Sequence, residues 1–193
     1  MFVLDHPAAR AVFFTFVYGW VAAEIVLRIR NRLQGQRREF DASIFPVVVS
    51  IWLGVGLAFA AARRAPSASF DGGWRWVIVG VVLLVAGAGF RIWAIATLGR
   101  LFTYYVSIQE GHRLVESGPY RFVRHPSYTG GLVGLLGIGV CLENWAGLAA
   151  VFVFPLLGIL VRIRAEEARL AAAFGDEYTS YAARHKRLLP HVW

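Results

Sequence analysis

The chain has 193 residues, 58% of them hydrophobic, and carries a formal charge of +8 supplied almost wholly by arginine, Lys186 being its one lysine. A soluble domain of this length is roughly 45–50% apolar, so the excess, gathered into runs, excludes an ordinary water-soluble globule and points to a membrane protein. The arginines flank those runs, which speaks for topology and anionic headgroups and against nucleic acid as a partner.

The first apolar run, about Ala8 to Leu27, has Arg10 as its only early basic residue and no clear cleavage pattern, so it is read as a retained span rather than a signal peptide. The segment RIRNRLQGQRR follows, with Arg28, Arg30, Arg32, Arg37 and Arg38, and is the strongest cytoplasmic signal in the chain. A second span is expected from about Ile44 to Ala62, a polar link RRAPSASFDGG, and a third span from about Trp74 to Leu98. Each is near the ~20 residues a helix needs to cross ~30 Å of hydrocarbon. Residues 99–127 are polar. Two shorter apolar runs come next, Tyr128 to Leu142 and Trp145 to Val161, parted by Glu143 and Asn144. That spacing predicts a helical hairpin with a polar turn, whose short first arm must lean on its neighbours. From Arg162 the chain turns charged, and Leu170, Phe174, Tyr178 and Tyr181 recur at helical spacing, predicting an amphipathic helix up to about Arg184. Gly175 is its weak point.

The fold class is therefore an all-α integral membrane protein of about five transmembrane helices with a C-terminal amphipathic helix, in a single domain. Five crossings place the N-terminus outside. The tail and residues 99–127, with Arg100, Arg113, Arg121 and Arg124, lie inside, while Arg63, Arg64 and Arg75 are left outside against the charge rule.

Few residue types in the chain suit chemistry. Cys141 stands alone within an apolar run, so no internal disulfide forms. The histidines His6, His112, His125, His185 and His191 show no ligand pairing at helical spacing, and no metal site is expected. Glu24 and Arg91 lie inside spans and are read as a mutual pair or as side chains reaching back to the interface. Gly130, Gly131, Gly134, Gly137 and Gly139, like Gly87 and Gly89, allow close helix approach.

Two clusters carry more. Arg124-His125-Pro126-Ser127-Tyr128 stands just before an apolar helix; Pro126 suits a first helical turn, freed amides there could meet an anion, and His125 and Tyr128 suit a membrane–water boundary. Arg162, Arg164, Glu166 and Glu167 sit at the exit of the last span, with Arg162 and Glu166 on one helix face. Adjacent acids at such a mouth cost desolvation unless a donor or cation awaits them, and an ammonium or sulfonium ligand would serve.

The stretches GHRLVESGPYRFVRHPSY (Gly111 to Tyr128) and RIRAEEARLAAAFGDEYTSYAARHKRLLP (Arg162 to Pro190) resemble the isoprenylcysteine carboxyl methyltransferase family, including its small prokaryotic relatives. The resemblance implies S-adenosylmethionine as methyl donor, held in a pocket on the cytosolic side by Tyr105, His112, Arg113, Leu114, Val115, Tyr120, His125, Pro126, Ser127, Tyr128, Glu166 and Glu167. Within that set it gives Glu166 the donor's amino group, and it turns Arg162, the catalytic residue, toward the methyl-accepting carboxylate. It implies a hydrophobic, isoprenylcysteine-like or otherwise lipidated acceptor, membrane lipids as neighbours, and a multi-pass protein of a bacterial inner membrane with its C-terminus in the cytoplasm. Residues 1–98 would supply three spans and residues 99–193 the cofactor-binding and catalytic half. Phospholipid N-methyltransferases and some sterol reductases share parts of the pattern. A phospholipid or small-lipid N-methyltransferase, a nicotinamide-dependent reductase and a non-catalytic membrane protein therefore stand as alternatives.

Overall fold

The computed structural model describes residues 2–33 (backbone alone over 31–33), 42–102 and 114–190. A four-residue helix α1 (Phe2–Asp5) leads into α2 (Pro7–Leu33); α3 (Ile44–Arg64) and α4 (Trp74–Leu98) follow. After residues 114–125 come α5 (Pro126–Cys141), α6 (Trp145–Phe174) and α7 (Asp176–Arg184). Among the described residues the β pairing is confined to two isolated bridges. Four helices are long and apolar enough to cross a membrane, Pro7–Arg30, Ile44–Arg64, Trp74–Leu101 and Trp145–Phe174, with Pro126–Cys141 as a shorter apolar fifth.

Small residues set the packing. α5 lies along α4, and a Cβ at Gly87 would run into the backbone of Gly130 and Gly134, while one at Gly80 would strike Cys141 and Gly137. α3 lies along α6 in the same way, Gly158 meeting Ser50 and Pro46, and Gly54 meeting Ala150. Lipid is as apolar as leucine, so helices in a bilayer gain little by hiding side chains from it and associate through such close contact. The short α5 is thus the most enclosed helix, as its length requires. By contrast α2 leaves Phe16, Val26 and Ile29 exposed, a face suited to lipid.

The turn between α5 and α6 is the polar hairpin expected at Glu143 and Asn144. Glu143 adopts a positive φ of 51°, and its carboxylate accepts hydrogen bonds from the Phe2 amide at 3.2 Å and the Gly73 amide at 2.7 Å. Asn144 caps α6 by accepting from the Gly147 amide at 2.9 Å and donates to the Ala65 carbonyl at 2.9 Å. Orphaned backbone groups at four helix ends are thereby satisfied at one buried knot. The amphipathic stretch is not continuous: Gly175, at φ 53°, ends α6 and starts α7.

Candidate active site

At the end of the bundle away from that knot lies a cavity of about 720 Å³. The loop before α5 forms one wall, and α6 and α7 form a second. Its polar part is built by Tyr120, His125, Tyr128, Arg162, Glu166 and Tyr178. Its apolar part runs between α2 and α3, past Val21, Ile25, Val48 and Ile51, with Leu135 and Ile138 of α5 as the floor.

Local structure explains how these side chains converge. Pro126 opens α5, as its missing N–H permits. The carbonyl of His125 accepts from the Tyr128 and Thr129 amides, each at 3.1 Å. The chain end returns alongside: the Arg124 amide donates to the Lys186 carbonyl at 2.8 Å, the His125 amide to the Arg187 carbonyl at 3.0 Å, and Thr129 Oγ1 to the Leu188 carbonyl at 2.8 Å. Tyr181 of α7 donates to the Tyr120 carbonyl at 2.8 Å. The two charged clusters of the sequence, far apart along the chain, are therefore strapped together by the residues after α7.

Within the cavity Tyr128 is the joint. Its hydroxyl donates to Glu166 Oε2 at 2.9 Å and accepts from Arg162 Nε at 3.3 Å. Arg162, only 2% exposed, also donates from Nη1 to Ser43 Oγ at 2.6 Å. The His125 ring stacks beside Tyr128, with centroids 5.8 Å apart. Burial, with the negative charge of Glu166 adding to it, holds the Tyr120 phenol well above its ordinary pKa. Burial pushes Tyr178 up to about 12. Both phenols are neutral hydrogen-bonding groups at physiological pH.

The neighbouring acids differ. Glu167 is gripped by Arg187 (Nε at 3.0 Å, Nη2 at 2.8 Å), by Arg124 Nη1 at 3.0 Å and by His125 Nε2 at 3.2 Å. Its side chain is 12% exposed, whereas that of Glu166 is 30% exposed and faces the cavity. Glu167 closes the strap; Glu166 is left facing the cavity. Glu167→Ala is expected to lower stability by about 3 kcal/mol, since Arg124 and Arg187 keep their charges without a counter-ion. Thermal unfolding in detergent checks this, with Glu166→Ala, nearer neutral, as the comparison.

Of the residues expected in the cofactor pocket, Leu114, Val115, Tyr120, His125, Ser127, Tyr128 and Glu166 line the cavity, as does Arg162. Pro126 and Glu167 support it from behind, the first as a helix start and the second as an ion-pair anchor. Tyr105, His112 and Arg113 lie outside the described residues, as do the side chains of Arg32, Arg37, Arg38 and His191. Glu24 and Arg91 do pair, through two nitrogens of the guanidinium, with Nη2 to Oε2 at 3.1 Å. Arg91 Nη1 also donates to the Ser127 carbonyl at 3.0 Å, tying α2 and α4 to the first turn of α5. Ser43, Arg187 and the carbonyl of Leu188 were not expected at the site. Sequence offered a cue only for Ser43, as a serine before an apolar run, and that cue reads as a helix cap.

The chain is similar to known proteins in sequence and in fold. The model of the isoprenylcysteine carboxyl methyltransferase (ICMT) family matches residues 78–172. A probable protein-S-isoprenylcysteine O-methyltransferase of Oryza sativa subsp. indica is 35% identical over 121 residues, 62% of this chain and 63% of that protein. The cobalt-zinc-cadmium resistance protein CzcN of Cupriavidus metallidurans is 31% identical over 159 residues, 82% of this chain and 70% of that protein. The solved structure of the eukaryotic intramembrane Ras methyltransferase ICMT superposes with a TM-score of 0.59 at 24% identity, over 80% of this chain and 55% of that one. The chain thus spans a little under two thirds of the rice relative, and the solved structure shares its fold.

Proposed function

Because this chain belongs to the isoprenylcysteine carboxyl methyltransferase family, we propose that it methylates the carboxylate of a hydrophobic, isoprenylcysteine-like acceptor at the membrane interface, with S-adenosylmethionine as donor. One observation carries the reading: Glu166, Tyr128 and Arg162 are hydrogen-bonded in series on the wall of a cavity whose other limb is an apolar cleft between α2 and α3. A water-borne cation and a bilayer-borne acid can meet only in such a place.

The donor set fits the cofactor. Glu166 offers a carboxylate to an ammonium, and Tyr120, His125, Tyr128 and Tyr178 offer rings and polar tips to the rest of the molecule. When bound, S-adenosylmethionine supplies an electrophilic methyl group on a positive sulfur. The chain's own residues do the remainder. Arg162 binds and orients the acceptor carboxylate; its guanidinium plane is set by hydroxyls at Nε and Nη1. The apolar limb draws the acceptor's tail between α2 and α3 and keeps water from the carboxylate, which is a poor nucleophile when hydrated. An ionised carboxylate needs no general base. A cationic Arg162 suits that acceptor better than an amine, which disfavours the N-methyltransferase alternative.

We place the cavity on the cytosolic side of a bacterial inner membrane. Arg28 and Arg124 line it, and Arg100 and Arg121 stand in the turns that follow α4 and precede α5, as the positive-inside rule asks. Purified protein in lipid nanodiscs is expected to move labelled methyl from S-adenosylmethionine onto an S-farnesylcysteine analogue as a base-labile ester. Label appearing instead on an ethanolamine phospholipid, or on neither acceptor, would overturn the proposal.

A further inference from the structure

We propose that Ser43 is a positioning residue for Arg162, assigned to that task instead of capping α3; the inference rests on the catalytic role given to Arg162 above. Ser43 stands at the N-cap position of α3. A serine there ordinarily takes an extended backbone and lends its oxygen to an amide in the first turn of its own helix. Ser43 does neither. Its φ and ψ are −68° and −10°, already helical, and its side chain makes no capping hydrogen bond. The oxygen instead accepts from Nη1 of Arg162 on α6, across 119 residues of sequence, at 2.6 Å.

The geometry gives that contact a purpose. A guanidinium is a rigid planar fork with five N–H donors. One fixed point lets it swivel about that contact; two fix its plane. Tyr128 Oη holds Nε at 3.3 Å and Ser43 Oγ holds Nη1, so hydroxyls on two different helices hold two points of one plane. Tyr128 in turn is bonded to Glu166, so the same chain of contacts sets the acceptor-binding group relative to the donor-binding group. Hydroxyl oxygens suit the task because they add no charge to compete with the acceptor carboxylate for Arg162. The packing of α3 against α6 fixes the distance: Gly158 admits Pro46 and Ser50 at close range one helical turn below, which leaves little play between Ser43 and Arg162.

The experiment compares the wild-type chain with Ser43→Ala and Ser43→Thr in nanodiscs, on the S-farnesylcysteine analogue. Ser43→Ala is expected to lower kcat roughly tenfold, a fraction of the hundredfold that a full misplacement costs. Donor affinity should remain that of the wild type. Thermal unfolding should fall by no more than the loss of one hydrogen bond to a charged group explains, and Ser43→Thr, which keeps the hydroxyl, should restore the rate. In an Arg162→Lys background, where the fork is gone, Ser43→Ala should have no further effect on kcat. The inference is overturned if Ser43→Ala keeps the wild-type kcat, if threonine fails to restore it, or if the alanine effect persists in full beside Arg162→Lys. A wild-type chain that methylates the ethanolamine phospholipid instead, or neither acceptor, overturns the proposed function itself, and the positioning role with it. An active wild type with an indifferent Ser43 overturns this inference alone.

Discussion

Replacing Arg162 by alanine is expected to cut kcat for carboxyl methylation about 100-fold, while the affinity for S-adenosylmethionine stays that of the wild-type chain. Arg162 is buried and meets the cavity through a guanidinium fixed by Tyr128 and Ser43. Its removal takes away the guanidinium proposed to face the acceptor, and the acceptor then binds in many orientations, few of them in line for attack. Two orders of magnitude in rate correspond to about 2.7 kcal/mol of lost transition-state stabilisation. Arg162→Lys separates charge from geometry: a lysine keeps the charge but has no planar fork, so it should recover part of acceptor binding and little of kcat. Steady-state kinetics on a prenylcysteine analogue, with donor binding measured separately by calorimetry, checks both variants. Equal loss of donor binding and of rate would contradict the division of labour between Arg162 and Glu166.

The second large effect is expected at Glu166. Glu166→Gln preserves shape and the hydrogen bond from Tyr128 but removes the charge proposed to meet the donor's ammonium. A charge-assisted hydrogen bond of this kind is worth about 1.5–3 kcal/mol, so donor affinity should fall about 10- to 100-fold. At saturating donor, kcat should recover much of its wild-type value. Glu167→Gln supplies the contrast, because Glu167 spends its oxygens on Arg124, Arg187 and His125. It should lower stability more than donor affinity. If calorimetry showed the two acids reversed, with Glu167 governing donor binding, the electrostatic reading of the site would fail.

Much of the fold is legible in the chain because the bilayer leaves few options. Runs near twenty apolar residues can only be helices there, and the boundaries expected near Ile44, Trp74 and Trp145 coincide with helix starts. Gly175 and Pro126 act as the local stop and start that their backbone chemistry dictates. The membrane segments meet through glycines spaced along α4 and α5, and that spacing is visible in sequence while the pairing of α4 with α5 and of α3 with α6 is not.

The site divides along the same line. Sequence by itself determined that the helices span, that two charged clusters end the membrane-embedded part, and that adjacent acids at a helix exit need a cation, because each follows from local composition and from the cost of burying charge. The family resemblance named Glu166 for the donor; only the tertiary structure gives the choice between the two acids a physical basis. That choice turns on Arg124 and Arg187 arriving from opposite ends of the C-terminal half to neutralise Glu167 and leave Glu166 facing the cavity. Ser43 was equally beyond reach of the chain alone: a serine before an apolar run reads as a cap, and its oxygen is turned to Arg162 by the close packing of α3 on α6, a contact between residues far apart in sequence.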